Sequence, residues 1–309
     1  MTVFFSTLNQ TAFLFLLIAI GFLLAKRKVL PDTAAKTLAR LENFVFVPCL
    51  ILGTFLEHFN VERLSEYATL LGISTAINLV VIPLAILVAK WLGKGKYEKN
   101  IFTYGLVFSN FGFMGNAVVS ALFPEMFLDY LIFTLPLWFL IYLWGVPSLL
   151  ISDAEAKQTL KTRLKALVNP MFIAMLVGMV LGLLRVPMPA FVGTSIASLG
   201  SCMSPVAMLL TGVTVSSISF RETFRTARIW GISLVRLFVF PLLLILCAKV
   251  IPFGEVAYVC GICSLAMPLG LNTIVIPSAY GKDTRVAAGM AIISHLLSCV
   301  SIPLIFMLM

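Results

Sequence analysis

The stretches Ser109-Asn-Phe-Gly-Phe-Met-Gly-Asn116 and Ser264-Leu-Ala-Met-Pro-Leu-Gly-Leu-Asn272 interrupt two long apolar segments about half a chain apart. Glycine, proline and asparagine are unfavourable inside a helix, so each stretch predicts a helix break. A break within a membrane frees backbone N–H and C=O groups that lipid cannot satisfy. Such a break persists only where it lines a cavity or is packed in protein. Both stretches are therefore candidate functional positions.

The surrounding chain has the composition of an integral membrane protein. Hydrophobic residues make up 61% and charged residues 11% of the 309 residues, and the mean hydropathy is +1.07. A membrane-spanning helix needs about 20 apolar residues, and the pattern predicts an all-α protein with ten spans. We number these predicted spans 1 to 10: residues 6–25, 38–56, 67–90, 100–122, 127–151, 168–184, 189–218, 226–249, 254–279 and 285–308.

The net charge of +9 reflects membrane topology rather than a nucleic-acid surface. Of the 22 Lys and Arg residues, 18 lie in loops that follow odd-numbered predicted spans. The loops after even-numbered spans carry only Arg63, Arg185 and Lys249. Because basic residues mark cytoplasmic loops, we expect both termini to lie outside and nucleic acid not to be a partner.

The two halves of the chain resemble each other. A shift of 157 residues aligns Gly21 with Gly178 and Leu52 with Leu209, and a shift of 155 aligns Ser109 with Ser264. Each half holds five predicted spans, an odd number, so the second half must enter the membrane from the opposite side. The pattern predicts an inverted repeat of residues 1–151 and 168–309, joined by a cytoplasmic linker at 152–167. Paired helix breaks in such repeats are typical of secondary transporters.

Four motifs resemble the auxin efflux carrier family, and the resemblance covers nearly the whole chain. They are Asn43-Phe-Val-Phe-Val-Pro48, Asn110-Phe-Gly-Phe-Met-Gly115, Ala266-Met-Pro-Leu-Gly-Leu-Asn272 and Tyr280-Gly-Lys-Asp283.

The chain is similar to the short bacterial members, which implies the bacterial inner membrane, and the family's fold is similar to that of bile acid:sodium symporters. The resemblance implies a scaffold of spans 1, 2, 6 and 7 that forms homodimers. It also implies a transport domain of spans 3–5 and 8–10, in which spans 4 and 9 cross, and elevator-like motion between the two.

One position departs from the family pattern. The family often has a proline close to the last glycine of the span 4 motif, where this chain reads Gly115-Asn116-Ala117. Either Asn116 replaces the proline as the helix breaker, or the helix is less broken here.

The candidate substrate-binding residues cluster at the two breaks and at their repeat-related positions. They are Asn110, Gly115, Asn116, Pro268, Gly270, Asn272, Arg236 and Asn78. Asparagine amides can bind a carboxylate or cap freed backbone groups. We consider three hypotheses for Arg236. It is an anion-binding group, a structural cation that pairs with backbone carbonyls in place of sodium, or a side chain that extends to the membrane interface. Asn78 is its counterpart in the first repeat.

Two further residues are candidates for proton coupling. His295 lies within span 10 and titrates near physiological pH when unperturbed, although a membrane histidine is often only hydrogen-bonded to a neighbouring helix. Glu42 lies near the end of span 2, where it could also pair with Arg40 or Lys36. We expect Asp129 to lie in an exposed turn.

These observations predict a secondary transporter for small organic anions of the carboxylate class, and the resemblance implies that it acts as an exporter. No nucleotide loop, metal cluster or catalytic triad is visible, and Cys260-Gly-Ile-Cys263 lies within a span, so we expect no enzyme activity, metal or cofactor. The alternatives are a sodium- or proton-coupled symporter, a membrane sensor that kept a transporter fold, or a channel.

Overall fold

The protein is all-helical in the part of the chain that the structure, a computed structural model, describes: residues 2–152, 159–216 and 226–309. The centre of the predicted linker with Lys157, and the basic residues Arg221 and Arg225, lie outside the described residues. The helices are α1 Thr2–Lys26, α2 Ala34–His58, α3 Val61–Leu92, α4 Lys96–Val107, α5 Phe111–Leu122, α6 Pro124–Leu150, α7 Leu160–Leu167, α8 Pro170–Leu183, α9 Ala190–Ser216, α10 Ala227–Ala248, α11 Glu255–Leu265, α12 Asn272–Ala279 and α13 Arg285–Leu308.

Their length and composition support a multi-pass membrane protein. Among the described residues, six helices are long and apolar enough to cross a membrane: α2, α3, α6, α9, α10 and α13. The number is seven if α7 and α8, which meet at an angle of 55°, form one span.

The helix breaks predicted near residues 109–116 and 264–272 are present. The first separates α4 from α5 at residues 108–110, and the second separates α11 from α12 at residues 266–271. The first break forms without a proline and lies ahead of the glycines of its motif. Asn116 stands within the continuing helix α5, so it is not the helix breaker.

Several helices contain a widened π-helical turn close to a proline. Such turns cover Glu42–Phe46 in α2 and Val235–Val239 in α10, just before Pro48 and Pro241. A proline removes one backbone hydrogen bond and crowds the carbonyl four residues earlier, and a π turn accommodates this misfit. The candidates Glu42 and Arg236 both lie in these turns.

Close contacts at glycines join helices of the first half to helices of the second half: α1 contacts α9, and α8 contacts α2. Gly21 of α1 lies directly against the backbone of Leu209 on α9, and Gly178 of α8 lies against the backbone of Leu52 on α2. The alignment of the two halves matches Gly21 with Gly178 and Leu52 with Leu209. The two contacts are therefore equivalent under the repeat, as a twofold relation between the halves would require.

We expect Gly178→Ala to destabilise the protein, because its Cβ would lie 2.9 Å from the Leu52 carbonyl oxygen and from the Phe55 Cβ. Overpacking of this kind typically costs about 1–3 kcal/mol. Thermal unfolding in detergent measures the change. Gly72→Ala in α3 is the matched control, because no atom lies within 4 Å of its added Cβ; it should be neutral or stabilising. Equal unfolding temperatures for the two variants would contradict the close packing.

Candidate functional site

The two helix breaks pair with each other. The Asn110 N–H donates to the Pro268 carbonyl (2.7 Å), and the Ser109 hydroxyl donates to the Ser264 carbonyl (2.9 Å). Ser109 and Leu269 also form an isolated antiparallel bridge. Each break thus satisfies part of the backbone that the other break exposes, which an apolar membrane requires.

Gly270 allows this close approach. A Cβ at this position would lie 2.8 Å from the Phe108 carbonyl oxygen and 3.2 Å from that of Ser109. The backbone of the first break therefore leaves no room for a side chain at residue 270. Gly270, a predicted site residue, is thus the residue that lets the two breaks come this close.

Arg236 binds the carbonyl ends of the helices that stop at the breaks. Its side chain is 1% exposed, and it donates to the carbonyls of Leu106 at 2.8 Å, Ser264 at 2.7 Å and Met267 at 3.3 Å. Leu106 lies at the end of α4 and Ser264 at the end of α11, where the helix dipoles place partial negative charge. The Arg236 guanidinium therefore binds both helix C-termini, which agrees with the hypothesis that this residue is a structural cation.

The helix N-termini at the same crossing border a narrow cavity. The cavity is lined by Tyr104, Phe108, Ser109, Asn110, Phe111, Gly112, Phe113, Trp138, Ile141, Gly270, Leu271 and Asn272. It has room for about one or two water molecules. Arg236 is not part of this lining, so its charge and the cavity occupy different parts of the crossing.

Residues at the start of α5 and α12 line this cavity. The first N–H groups of a helix have no partner within it, and the helix dipole adds partial positive charge there. In α5, the N–H groups of Met114 and Gly115 turn back to the Asn110 carbonyl. The first-turn residues Phe111, Gly112 and Phe113 line the cavity, as do the residues that lead into α12.

The side chains of Asn110 and Asn272 reach the same cavity from the two breaks. Asn272 Nδ2 is 3.4 Å from the Tyr104 hydroxyl oxygen, to which it donates. Asn110 Nδ2 is 3.1 Å from His295 Nε2. The structure thus brings together three of the predicted site residues, Asn110, Gly270 and Asn272, with Pro268 accepting the backbone bond of Asn110.

The other predicted residues lie elsewhere. Asn78 is buried in α3 and donates to the Ser74 carbonyl in its own helix. Gly115 packs against the Tyr130 hydroxyl, and Asn116 is buried outside the cavity lining. Glu42 is fully buried in α2, and neither of its carboxyl oxygens has a partner among the described residues.

Aromatic residues form a wall that sequence reasoning missed. Tyr104 of α4 and Phe108, the first residue of the break, have ring centroids 4.7 Å apart, and the ring centroids of Trp138 of α6 and Phe111 are 5.0 Å apart. The signal that could have found Tyr104 is its position one turn before a predicted break. Trp138 carries no comparable signal, because only the packing of α6 against α5 brings it to the cavity.

The prediction of an exposed turn at Asp129 was wrong. Asp129 is 3% exposed, and its carboxylate accepts from Arg63 Nη2 at 2.9 Å. This ion pair joins the start of α3 to the start of α6. Among the described residues, no group of three His, Cys, Asp or Glu side chains could hold a metal ion.

We expect Arg236→Gln to destabilise the protein strongly. It would leave buried carbonyls unpaired, and each lost hydrogen bond from a charged donor is worth about 1.5–3 kcal/mol. Arg236→Lys should recover part of this loss, because an ammonium group can reach some of the same oxygens. Arg185→Gln, at an exposed residue, is the control. Unfolding temperatures in detergent that are equal for Arg236→Gln and Arg185→Gln would contradict the structural assignment.

Two comparisons with known proteins agree with this architecture. The family described as "Membrane transport protein" matches residues 6–306. A protein of Methanothermobacter thermautotrophicus named "Uncharacterized transporter" is 23% identical over 303 residues, and the match covers 98% of each chain. The chain therefore belongs to the membrane transport protein family, which confirms the resemblance to the auxin efflux carriers seen in its motifs.

Proposed function

We propose that this protein is a secondary transporter of small organic anions of the carboxylate class, with its binding site at the crossing of the two broken helices. One observation carries the proposal: the starts of α5 and α12, together with the amides of Asn110 and Asn272, border a single cavity. Helix N-termini and amide N–H groups are favourable partners for an anion. Family membership already makes the chain a membrane transport protein rather than an enzyme.

The cavity is narrow, and in this proposal the described state is closed around the crossing. A carboxylate with an organic group would need a wider space, which a movement of α6 or α12 away from α5 would provide. The organic part of the substrate would then meet the rings of Tyr104, Phe108 and Trp138. We therefore place the carboxylate at the helix N-termini and the apolar part against the aromatic wall.

The transport domain in this proposal is α3–α6 with α10–α13, and the scaffold is α1, α2, α8 and α9. Ten spans follow if α1, α8 and the two broken pairs each cross the membrane. The crosswise contacts of Gly21 with Leu209 and of Gly178 with Leu52 support an inverted repeat. They lie wholly within the scaffold, whereas the contacts between the breaks lie wholly within the transport domain, and such self-contained groups suit an elevator movement.

We place the protein in a bacterial inner membrane because of its resemblance to the short bacterial members of the family. We place both termini outside because of the distribution of Lys and Arg among the loops. The exposed apolar side chains of α8, among them Ile173, Leu176 and Val180, suit lipid or a second scaffold in a homodimer. Export is the proposed direction. A monovalent anion that leaves the cell by itself gains about 2.3 kcal/mol per 100 mV of membrane potential, whereas one that leaves together with a proton carries no net charge and follows the two concentration gradients instead.

We expect Asn272→Ala and Asn110→Ala to reduce carboxylate transport about 10- to 150-fold in kcat/KM, because each removes a hydrogen bond to a charged group worth about 1.5–3 kcal/mol. Asn272→Asp should be worse, because its carboxylate repels the substrate. Uptake of labelled malonate, malate and indole-3-acetate into proteoliposomes measures the effect. Asn60→Ala, at an exposed residue on the loop before α3, is the control.

The same assay separates the alternative functions. A carrier shows saturable flux that falls in the Asn272 variants, a sensor binds a carboxylate without flux, and a channel conducts without saturation at low substrate. Full transport in Asn110→Ala and in Asn272→Ala would contradict the proposed site.

Sodium coupling at the crossing is disfavoured by Arg236, whose guanidinium already binds the carbonyl oxygens that a cation would need. We therefore expect replacement of external and internal sodium by choline to change transport less than about twofold. Abolition of flux without sodium would favour the sodium-symporter alternative instead.

A further inference from the structure

The hydrogen bonds of His295 define its neutral form. Its Nδ1 atom lies 2.7 Å from the carbonyl oxygen of Ala291, one turn earlier in α13. A carbonyl can only accept, so Nδ1 carries the hydrogen. In a neutral ring Nε2 is then an acceptor, and it faces Asn110 Nδ2 at 3.1 Å, which is a donor.

This arrangement fixes the orientation of the Asn110 amide. With Nδ2 turned to the imidazole, the other end of the amide is its oxygen, and Oδ1 has no hydrogen-bond partner in the described part of the chain. Asn110 also lines the cavity at the crossing. An amide oxygen directed at a bound anion would be unfavourable, whereas an amide NH₂ group would be favourable.

We infer that His295 is a positioning residue that links proton uptake to anion binding through Asn110. A proton from water adds to the Nε2 lone pair, and the ring then donates from both nitrogens. Asn110 must turn its amide over so that Oδ1 accepts from Nε2–H, which directs its NH₂ group away from the ring. The site gains a donor and a nearby positive charge, and one proton is taken up for each carboxylate bound.

The inference rests on the proposed anion site, and it adds the coupling ion to it. The imidazolium charge would sit behind Asn110 and next to the two helix N-termini, so the bound carboxylate compensates it. Neither charge is then left alone in a buried site, which would be costly. Release of the anion restores the neutral ring and the original amide orientation.

Few other ionisable groups surround His295. On the helices packed against α13, the buried ones are Arg236, which is bound to backbone carbonyls, and Tyr104, which accepts from Asn272. Cys299 on α13 itself bonds the His295 carbonyl. The remaining titratable or charged groups of these elements lie at helix ends, apart from Cys202 within α9: Lys26, Lys96, Tyr97, Glu98, Lys99, Arg228, Cys247 and Arg285. None of them is a partner of the His295 ring.

Nitrogen NMR of the unmodified protein tests the switch directly. The chain has two histidines, so ¹⁵N-histidine labelling in lipid nanodiscs yields two ring systems. The second is His58, whose side chain is 61% exposed at the end of α2. We expect His295 in its Nδ1–H neutral form without substrate and in its doubly protonated form with saturating malonate, malate or indole-3-acetate. An Nε2–H form, or a ring unchanged by every carboxylate that binds, would overturn the inference.

Carboxylate binding measured at several pH values tests whether one proton is taken up with the anion. In the native chain the Kd of the carboxylate should rise about tenfold per pH unit once His295 is neutral in the free protein, as linkage to one proton requires. His295→Gln should bind with an affinity that does not change with pH. His58→Gln, which replaces the chain's other histidine, should keep the native slope.

The outcomes separate the two proposals. A pH-independent Kd in the native chain, or a slope lost in His58→Gln rather than in His295→Gln, overturns the role of His295 and leaves the anion site standing. No binding or flux for any carboxylate at any pH overturns the proposed function, and the role of His295 with it.

Discussion

The structure depends on the pairing of backbone groups that two broken helices expose inside an apolar membrane. Water is not available there to hydrogen-bond a free N–H or C=O group. The two breaks meet where the Asn110 N–H donates a hydrogen bond to the Pro268 carbonyl. Gly270 provides the space for this approach. Arg236 donates hydrogen bonds to the carbonyls of Leu106, Ser264 and Met267, which lie near the helix ends at the breaks.

This arrangement separates the negative, carbonyl ends of the broken helices from their positive, N–H ends. The carbonyl ends of α4 and α11 face the guanidinium group, while the N–H ends of α5 and α12 border the cavity. A cation built into the protein thus satisfies the negative helix ends. The positive ends remain at the cavity, where we propose that an anion binds. The selectivity that we propose follows from this division rather than from any one side chain.

The two groups of helices have different kinds of contact. Gly21 and Gly178 let the backbones of α1 and α9 and of α8 and α2 approach closely, as small residues do where membrane helices pack. Around the breaks, Ser109 and Arg236 donate hydrogen bonds to the irregular backbone, and the Ser294 hydroxyl oxygen accepts one from the Leu269 N–H. The elevator movement that we propose would carry the polar, self-paired crossing as one unit past the helices joined at these glycines.

The sequence by itself determined the membrane class, the two break positions and the transport family, because hydropathy, helix breakers and motif spacing are local properties of the chain. It also identified Asn110, Asn272, Gly270 and Pro268 as one group, since the repeat aligns the breaks. The role of Arg236 stayed open between three alternatives, because which oxygens a buried guanidinium reaches depends on helices about 30 and 130 residues away. The repeat suggested Asn78 as its equal, yet Asn78 bonds within its own helix.

Only the tertiary structure brought Trp138 to the cavity, paired Asp129 with Arg63, and placed His295 beside Asn110, because each of these contacts joins helices distant in the sequence.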